Sequence, residues 1–257
     1  MEYRVLAVGD VVGETGLSHL ERTLRSVQKL KGIDFTVVNG ENASGVGLTE
    51  DQAWRIYDAG ADVVTLGNHT FGKMEIRHAL EEQPWLLRPA NFTARAPGQG
   101  WGIYDMNGVT VRVINLIGRC DLSWGADNPF TVADHILEQD TADLTLVDFH
   151  AEATSEKLAL AYYLDGRVTA VVGTHTHVQT ADEKVLPKGT GYITDLGMCG
   201  AEHSVLGVRS DLAIKRLRTH LPVRFENERE NCILHGVVLE IDEKTGKTNK
   251  IIRHEIR

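Results

Sequence analysis

Several familiar protein classes are excluded by what this chain lacks. It has three cysteines in 257 residues, Cys120, Cys199 and Cys232. An odd number at wide spacing excludes a disulfide framework and suits reduced cysteines used for packing. No apolar run approaches the roughly 18 residues that span a bilayer. No apolar h-region precedes the first strand, which begins by about Val5. A cytoplasmic protein without membrane association is therefore expected. The chain also lacks a long basic run, and its formal net charge is -9, so duplex nucleic acid is not an expected partner. A small phosphate-bearing substrate stays open, because bound divalent cations would reverse the sign of the field inside a site. With 6 Pro against 25 Gly and 42% hydrophobic residues, the composition is that of a globular protein able to bury a full core. One domain over residues 1–257 is expected.

The pattern along the chain alternates strands with amphipathic helices. After a strand at about 4–9, Leu17, Leu20, Leu24 and Val27 recur at helical spacing. A strand at about 35–39 is followed by Thr49 and Gln52, a capping-box pair that opens a helix through about Ala59. A strand near 62–66 leads to a helix near 74–82. Asn107-Gly108 then marks a two-residue hairpin turn between Ile103–Met106 and Val109–Leu116. Alternation resumes with helices near 131–139, 155–164 and 210–220, strands at 144–149 and 168–173, and a closing hairpin at 232–241 and 249–256. Such a mixture predicts an α/β protein with two packed mixed sheets flanked by helices.

Five of the apolar runs end in residues that bind metals. They run from Val5 to Asp10, from Thr36 to Glu41 and Asn42, from Val63 to Asn68 and His69, from Leu144 to His150, and from Val171 to His175 and His177. Loops beyond the carboxyl ends of strands are where open α/β sheets carry chemistry. Any one ending has an ordinary structural explanation: a helix-capping aspartate, a polar turn or a core histidine. Five together point to one sheet edge loaded with ligands. Asp10, Glu41, Asn68, His150, His175 and His177 form a nitrogen-and-oxygen set without thiolate, suited to Mn, Fe, Zn or Co. That many donors would crowd one ion but would serve two sharing a carboxylate. Asp148 shares a strand face with His150 and is a candidate partner for its ring. No covalent nucleophile has a base beside it, which disfavours a serine or cysteine hydrolase.

The order of an Asp, an acidic turn, Gly-Asn-His, His and His-x-His resembles the calcineurin-type metallophosphoesterases. Two departures stand out within that superfamily: Val12 replaces the histidine of the usual Asp-x-His, and Glu41 replaces the usual bridging aspartate. These departures, with Gly9-Asp10-Val-Val-Gly13, Arg88-Pro-Ala-Asn-Phe92, His150-Ala-Glu-Ala-Thr-Ser-Glu-Lys157, Thr174-His-Thr-His-Val-Gln-Thr180 and Leu221-Pro-Val-Arg-Phe225, resemble the YmdB-like branch over nearly the whole chain.

The resemblance implies a four-layer α-β-β-α sandwich of two mixed sheets. It also implies a homo-oligomer and a phosphodiesterase of cyclic nucleotides, chiefly 2′,3′-cyclic AMP. Two divalent ions per chain, iron or manganese with zinc or cobalt as alternatives, would be held as follows. Asp10 and His177 would bind the first ion, Glu41 would bridge, and Asn68, His150 and His175 would bind the second. Asn42 belongs to the same set, beside the cluster and close to the substrate phosphate. In-line attack by a metal-bridging hydroxide would be completed by His69, which protonates the leaving 2′ or 3′ oxygen. Two alternatives remain open. One is a phosphomonoesterase or nucleotidase on the same metal pair. The other is a non-enzymatic metal-containing regulator that binds a phosphate ligand or a protein. Trp101 and Trp124 are candidates for base stacking and Arg119 and Arg167 for phosphate, each with core or surface as the plainer role. Glu152, Ser155 and Glu156 read as caps for the next helix, with lining of the pocket as the alternative.

Overall fold

The structure is a computed structural model and describes residues 2–106, 108–122 and 125–257. Helix α1 (Gly13–Lys31) turns Leu17, Leu20, Leu24 and Val27 inward and stops at Gly32, whose φ of 61° suits a residue without a Cβ. Helix α2 (Glu50–Ala59) opens on the expected capping box, Thr49 with Gln52. The other helices are α3 (Ile76–Glu82), α4 (Pro129–Leu137), α5 (Thr154–Leu164) and α6 (Ser210–Thr219).

One sheet of eight strands is ordered β2 (Asp10–Val11), β12 (Met198–Ala201), β13 (Cys232–Asp242), β1 (Glu2–Val8), β3 (Phe35–Asn39), β4 (Val63–Thr65) and β5 (Leu86–Leu87), with β14 (Lys247–Ile256) paired to β13. A second sheet of six runs β10 (Lys184–Val185), β11 (Gly191–Ile193), β9 (Ala170–Thr174), β8 (Leu144–His150), β7 (Val109–Ile117) and β6 (Trp101–Met106). Each sheet mixes parallel and antiparallel pairs: β1 is parallel to β3 but antiparallel to β13, and β7 is parallel to β8 but antiparallel to β6. The β6–β7 hairpin is present; of its expected turn pair, Gly108 has φ 87° and Asn107 lies outside the described residues.

Three apolar cores define four layers. Leu17, Leu20 and Leu24 of α1 pack with Leu6, Val38 and Val64 of the first sheet. Val5, Val37 and Val63, the alternate residues of the same strands, meet Val111, Leu146 and Val172 of the second sheet. Ile114, Val147 and Val171 turn outward to Ala133 of α4 and Leu160 of α5. The fold is thus an α-β-β-α sandwich. Trp101 joins the third core and lies 5.7 Å from the Arg112 guanidinium, a packing role; Trp124 lies outside the described residues.

At one edge the parallel strands of both sheets end together. Asn115 of β7 donates to the Leu66 and Leu87 carbonyls of the first sheet at 2.7 and 3.0 Å, and Thr65 of β4 donates to Asp148 of β8 at 2.5 Å. Among the described residues no helix is long and apolar enough to cross a membrane.

Candidate metal centre

All five strand endings meet at this shared edge. Asp10 and Glu41 are fully buried there, Asn42 and His150 are buried, and Asn68, His69, His175 and His177 are half-buried. Two convergence points are visible. At the first, the Asn42 Nδ2 amide lies 3.3 Å from Asp10 Oδ1, 3.1 Å from Glu41 Oε1 and 3.2 Å from His177 Nε2. At the second, His150 Nε2 lies 3.0 Å from Glu41 Oε1, 2.8 Å from Asn68 Oδ1 and 3.0 Å from His175 Nδ1. Glu41 belongs to both. Its other oxygen accepts the His69 backbone N–H at 2.9 Å, which sets the imidazole of His69 beside the cluster. Among the described residues, Glu41, His150 and His175 are the group of acidic, histidine and cysteine side chains whose donor atoms all lie within 4.8 Å of one another.

Each of the three clustered imidazoles is oriented through its other nitrogen, and of the orienting groups only Asp148 is legible from the sequence. Asp148 does not touch His150 directly, contrary to the simplest expectation from their spacing. The Thr174 hydroxyl stands between them: it donates to Asp148 Oδ1 at 2.7 Å and so accepts from His150 Nδ1 at 3.0 Å. Asn39 and Thr65 also donate to Asp148, at 3.2 and 2.5 Å. For a neutral ring this arrangement places the hydrogen on Nδ1 and the lone pair of Nε2 toward Glu41, as a metal ligand requires. His177 Nδ1 is 3.3 Å from the Leu206 carbonyl, and His175 Nε2 is 3.0 Å from Glu152.

His175 and His177 have φ of 104° and 64°, in the left-handed region that L residues seldom adopt. Between them, the Thr176 N–H donates to Asp195 Oδ2 at 3.0 Å, and Asp195 is paired at 2.8 Å with Lys157, both buried. Glu156 does not cap its own helix. Its carboxylate accepts the backbone N–H groups of Arg119 and Cys120, pinning the loop after β7. Arg167 is paired with Asp134 at 2.7 Å and is not turned to the centre.

Electrostatics show that the centre is short of positive charge. Among the described residues neither Asp10 nor Glu41 has a Lys or Arg partner. Burial raises the Asp10 carboxyl to about 6, despite the lowering influence of His177 and His150. Burial also works to raise Glu41, but contact with His150 prevails and lowers it; His150 is raised in return. Burial and then the adjacent His150 lower His175 to about 4, leaving a neutral ring fit to donate a lone pair. Two buried carboxylates among imidazole and carboxamide groups, a nitrogen-and-oxygen set, fit divalent cations well. Space fits as well, since a Cβ on Gly67 would overlap His150 Nε2 and lie 2.5 Å from Glu41 Oε2. A side chain at position 67 would have to displace one of these two groups.

Thr174→Val should remove the hydroxyl link while keeping shape. Divalent-metal affinity, read by competition with a chelator, is expected to fall about 10- to 100-fold. Unchanged affinity would show that Thr174 does not orient His150.

Comparison with known proteins agrees with this architecture. Residues 6–254 match the family model described as YmdB-like protein. A Bacillus subtilis protein named 2′,3′-cyclic-nucleotide 2′-phosphodiesterase is 47% identical over 253 residues, covering 97% of this chain and 96% of that one. A solved structure of a novel phosphatase from Mycoplasma pneumoniae superposes with a TM-score of 0.93 at 34% identity, covering 100% of this chain and 94% of the other. A 5′-nucleotidase precursor from Thermus thermophilus shares the fold alone, with a TM-score of 0.61 at 13% identity over 100% of this chain and 54% of that one.

Proposed function

The chain belongs to the YmdB-like protein family and has the fold of the calcineurin-type metallophosphoesterases, and we propose that it hydrolyses 2′,3′-cyclic nucleotides, chiefly 2′,3′-cyclic AMP. The observation that carries this reading is Glu41, shared between two clusters of nitrogen and oxygen donors at an edge that both sheets build. In the proposed set Asp10 and His177 would hold one divalent ion, Asn68, His150 and His175 would hold a second, and Glu41 would be available to both. Iron or manganese is expected. Such ions, when bound, neutralise phosphoryl oxygens and make water a competent nucleophile near neutral pH.

The chain's own groups do the rest. Asn42 extends its amide from between Asp10 and Glu41 and orients the phosphate. His69, placed by its backbone bond to Glu41, gives its proton to the departing ribose oxygen. The Bacillus relative's name points to O2′ as that oxygen. Water then adds to phosphorus, the P–O2′ bond breaks, O2′ takes the proton, and a nucleoside 3′-phosphate results. Without a proton a ribose alkoxide leaves poorly, and imidazole is the side chain best matched to supply one near neutral pH.

His69→Ala should lower turnover of 2′,3′-cyclic AMP by about 10²- to 10⁴-fold while metal content stays at the wild-type level. Loss of metal in that variant would make His69 a ligand instead. Turnover of a monoester matching that of the cyclic diester would favour the phosphatase reading. A homo-oligomer forms part of the proposal, and sedimentation velocity of the purified chain is its measure.

A further inference from the structure

A cleft of about 710 Å³ lies along the first turns of α1, outside the metal centre. Its lining includes Glu14, Ser18 and Arg22 on the helix and Glu226, Asn227 and Arg229 on the opposing segment. The charges do not cancel. Glu14 is bound to Arg55 at 2.7 Å and Glu226 to Arg209 at 3.2 Å, whereas among the described residues neither Arg22 nor Arg229 has an ion-pair partner. Two unneutralised guanidiniums therefore share a cleft in a chain whose net charge is -9. Arginine in that state suits phosphate oxygens, which its planar fork can meet with two bonds.

One end of the cleft abuts the metal centre. The Asn227 side chain covers Gly13, where a Cβ would overlap its amide, and lies 3.4 Å from the Cβ position of Gly45. Gly13 and Gly45 both donate to the Asn42 carbonyl, at 2.9 and 2.7 Å, and follow closely on Asp10 and Asn42. Arg22 lies further along α1, about 13 Å from Gly13 by the helical rise. A free cyclic nucleotide has one phosphate, which the metal centre takes, and it leaves these arginines without a ligand. A 2′,3′-cyclic phosphate also occurs at the 3′ end of an RNA strand, where further phosphates follow on the 5′ side.

We propose that the Arg22–Arg229 cleft binds those following phosphates, so that the substrates include short single-stranded RNAs ending in a 2′,3′-cyclic phosphate. The inference rests on the phosphodiesterase reading for its chemistry, and on the cleft for its substrate class. A strand cleaved by attack of its own 2′-hydroxyl would supply such ends.

The test compares 2′,3′-cyclic AMP with a triadenylate carrying the same cyclic end, on metal-loaded protein at 50 and 200 mM salt. The trinucleotide should have the lower KM at 50 mM. Two phosphate contacts to a single strand should raise that KM about sevenfold at 200 mM, with little change for the mononucleotide. Arg22→Ala with Arg229→Ala should remove both the advantage and its salt dependence while leaving 2′,3′-cyclic AMP turnover unchanged. Arg22→Glu alone should weaken the trinucleotide further. Equal KM values for the two substrates, or equal damage to both in the double variant, would overturn the proposal. If neither substrate turns over, the phosphodiesterase reading fails. Fluorescence anisotropy of a labelled triadenylate ending in a 3′-phosphate then decides the cleft separately: salt-sensitive binding lost in the double variant supports it, and its absence refutes it.

Discussion

Gly67→Ala is expected to abolish the metal centre while leaving the sandwich folded. The added methyl would overlap the His150 ring and crowd Glu41 Oε2, two groups with no exposed surface toward which to move. Nor can the backbone retreat. The Gly67 carbonyl accepts both the N–H and the hydroxyl of Thr70, at 3.2 and 2.7 Å, and the Leu66 N–H is bound to Leu87 at 3.0 Å. Relief must come from displacing Glu41 and His150, which the second convergence point cannot survive. A misplacement of about 1 Å at a reacting centre costs about 10²-fold, and here Glu41, the carboxylate shared by both convergence points, itself moves. Turnover should fall by at least that much, with bound metal by elemental analysis well below the wild-type content. A normal far-ultraviolet circular dichroism spectrum would confirm that the loss is local. Near-normal metal and turnover would show that the centre tolerates a Cβ and that its geometry has been misassigned.

Lys157→Met should be the most destabilising single change outside the ligands. Lys157 reaches from α5 to Asp195 at 2.8 Å with 1% and 0% of the two side chains exposed. Removing the cation leaves a buried carboxylate without its partner, a loss of about 3–5 kcal/mol. For a chain of this size that corresponds to a fall in Tm on the order of 10 °C. The functional consequence is separable. Asp195 also accepts the N–H groups of Thr176 and Gly197, at 3.0 and 2.9 Å, and thereby holds the turn that carries His175 and His177 in left-handed geometry. Adding Asp195→Leu to Lys157→Met removes the unpaired charge, so stability should return in part, with the Thr176 and Gly197 N–H groups left without their acceptor. Metal affinity should not, because Thr176 still lacks its acceptor. A single variant within about 1 kcal/mol of wild type would place the pair among exposed, weakly contributing bridges. Full recovery of metal binding in the double variant would show that the turn needs no anchor.

The two changes differ in how visible their causes are in the sequence. Gly67 stands inside the Gly-Asn-His ending that marks the site, so its importance can be guessed. Lys157 sits in a helix that reads as ordinary, 38 positions before its partner. The same contrast recurs through the molecule. Helix α2 and its Thr49–Gln52 capping box are visible because their bonds are local. Strands β11 and β12 are not, because at three and four residues they are too short to show a period. Glu156 illustrates the limit on side chains. Its position just inside a helix suggests capping, yet its carboxylate turns to a loop 36 and 37 residues earlier.

The types of the candidate ligands and their placement at strand ends are already visible in the order of residues along the chain. Short apolar runs buried on both faces make the strands, and a polar residue just past such a run emerges at the sheet edge. Local rules also point to the helices and to two mixed sheets flanked by them, while the four-layer sandwich comes from the family resemblance. Packing was needed to choose which nitrogen of each imidazole faces inward. That choice belongs to Thr174 with Asp148, to the Leu206 carbonyl and to Glu152, groups brought together by the sheets and loops rather than by spacing. Packing also put Asp10 and Glu41 in one water-poor volume where, among the described residues, neither carboxylate has an Arg or Lys partner. Burial raises Asp10 there, and contact with His150 holds Glu41 down against its own burial. The demand for positive charge is a property of that volume. Charge pairing across distant segments has no local signature, so it becomes visible only once the two sheets are packed together.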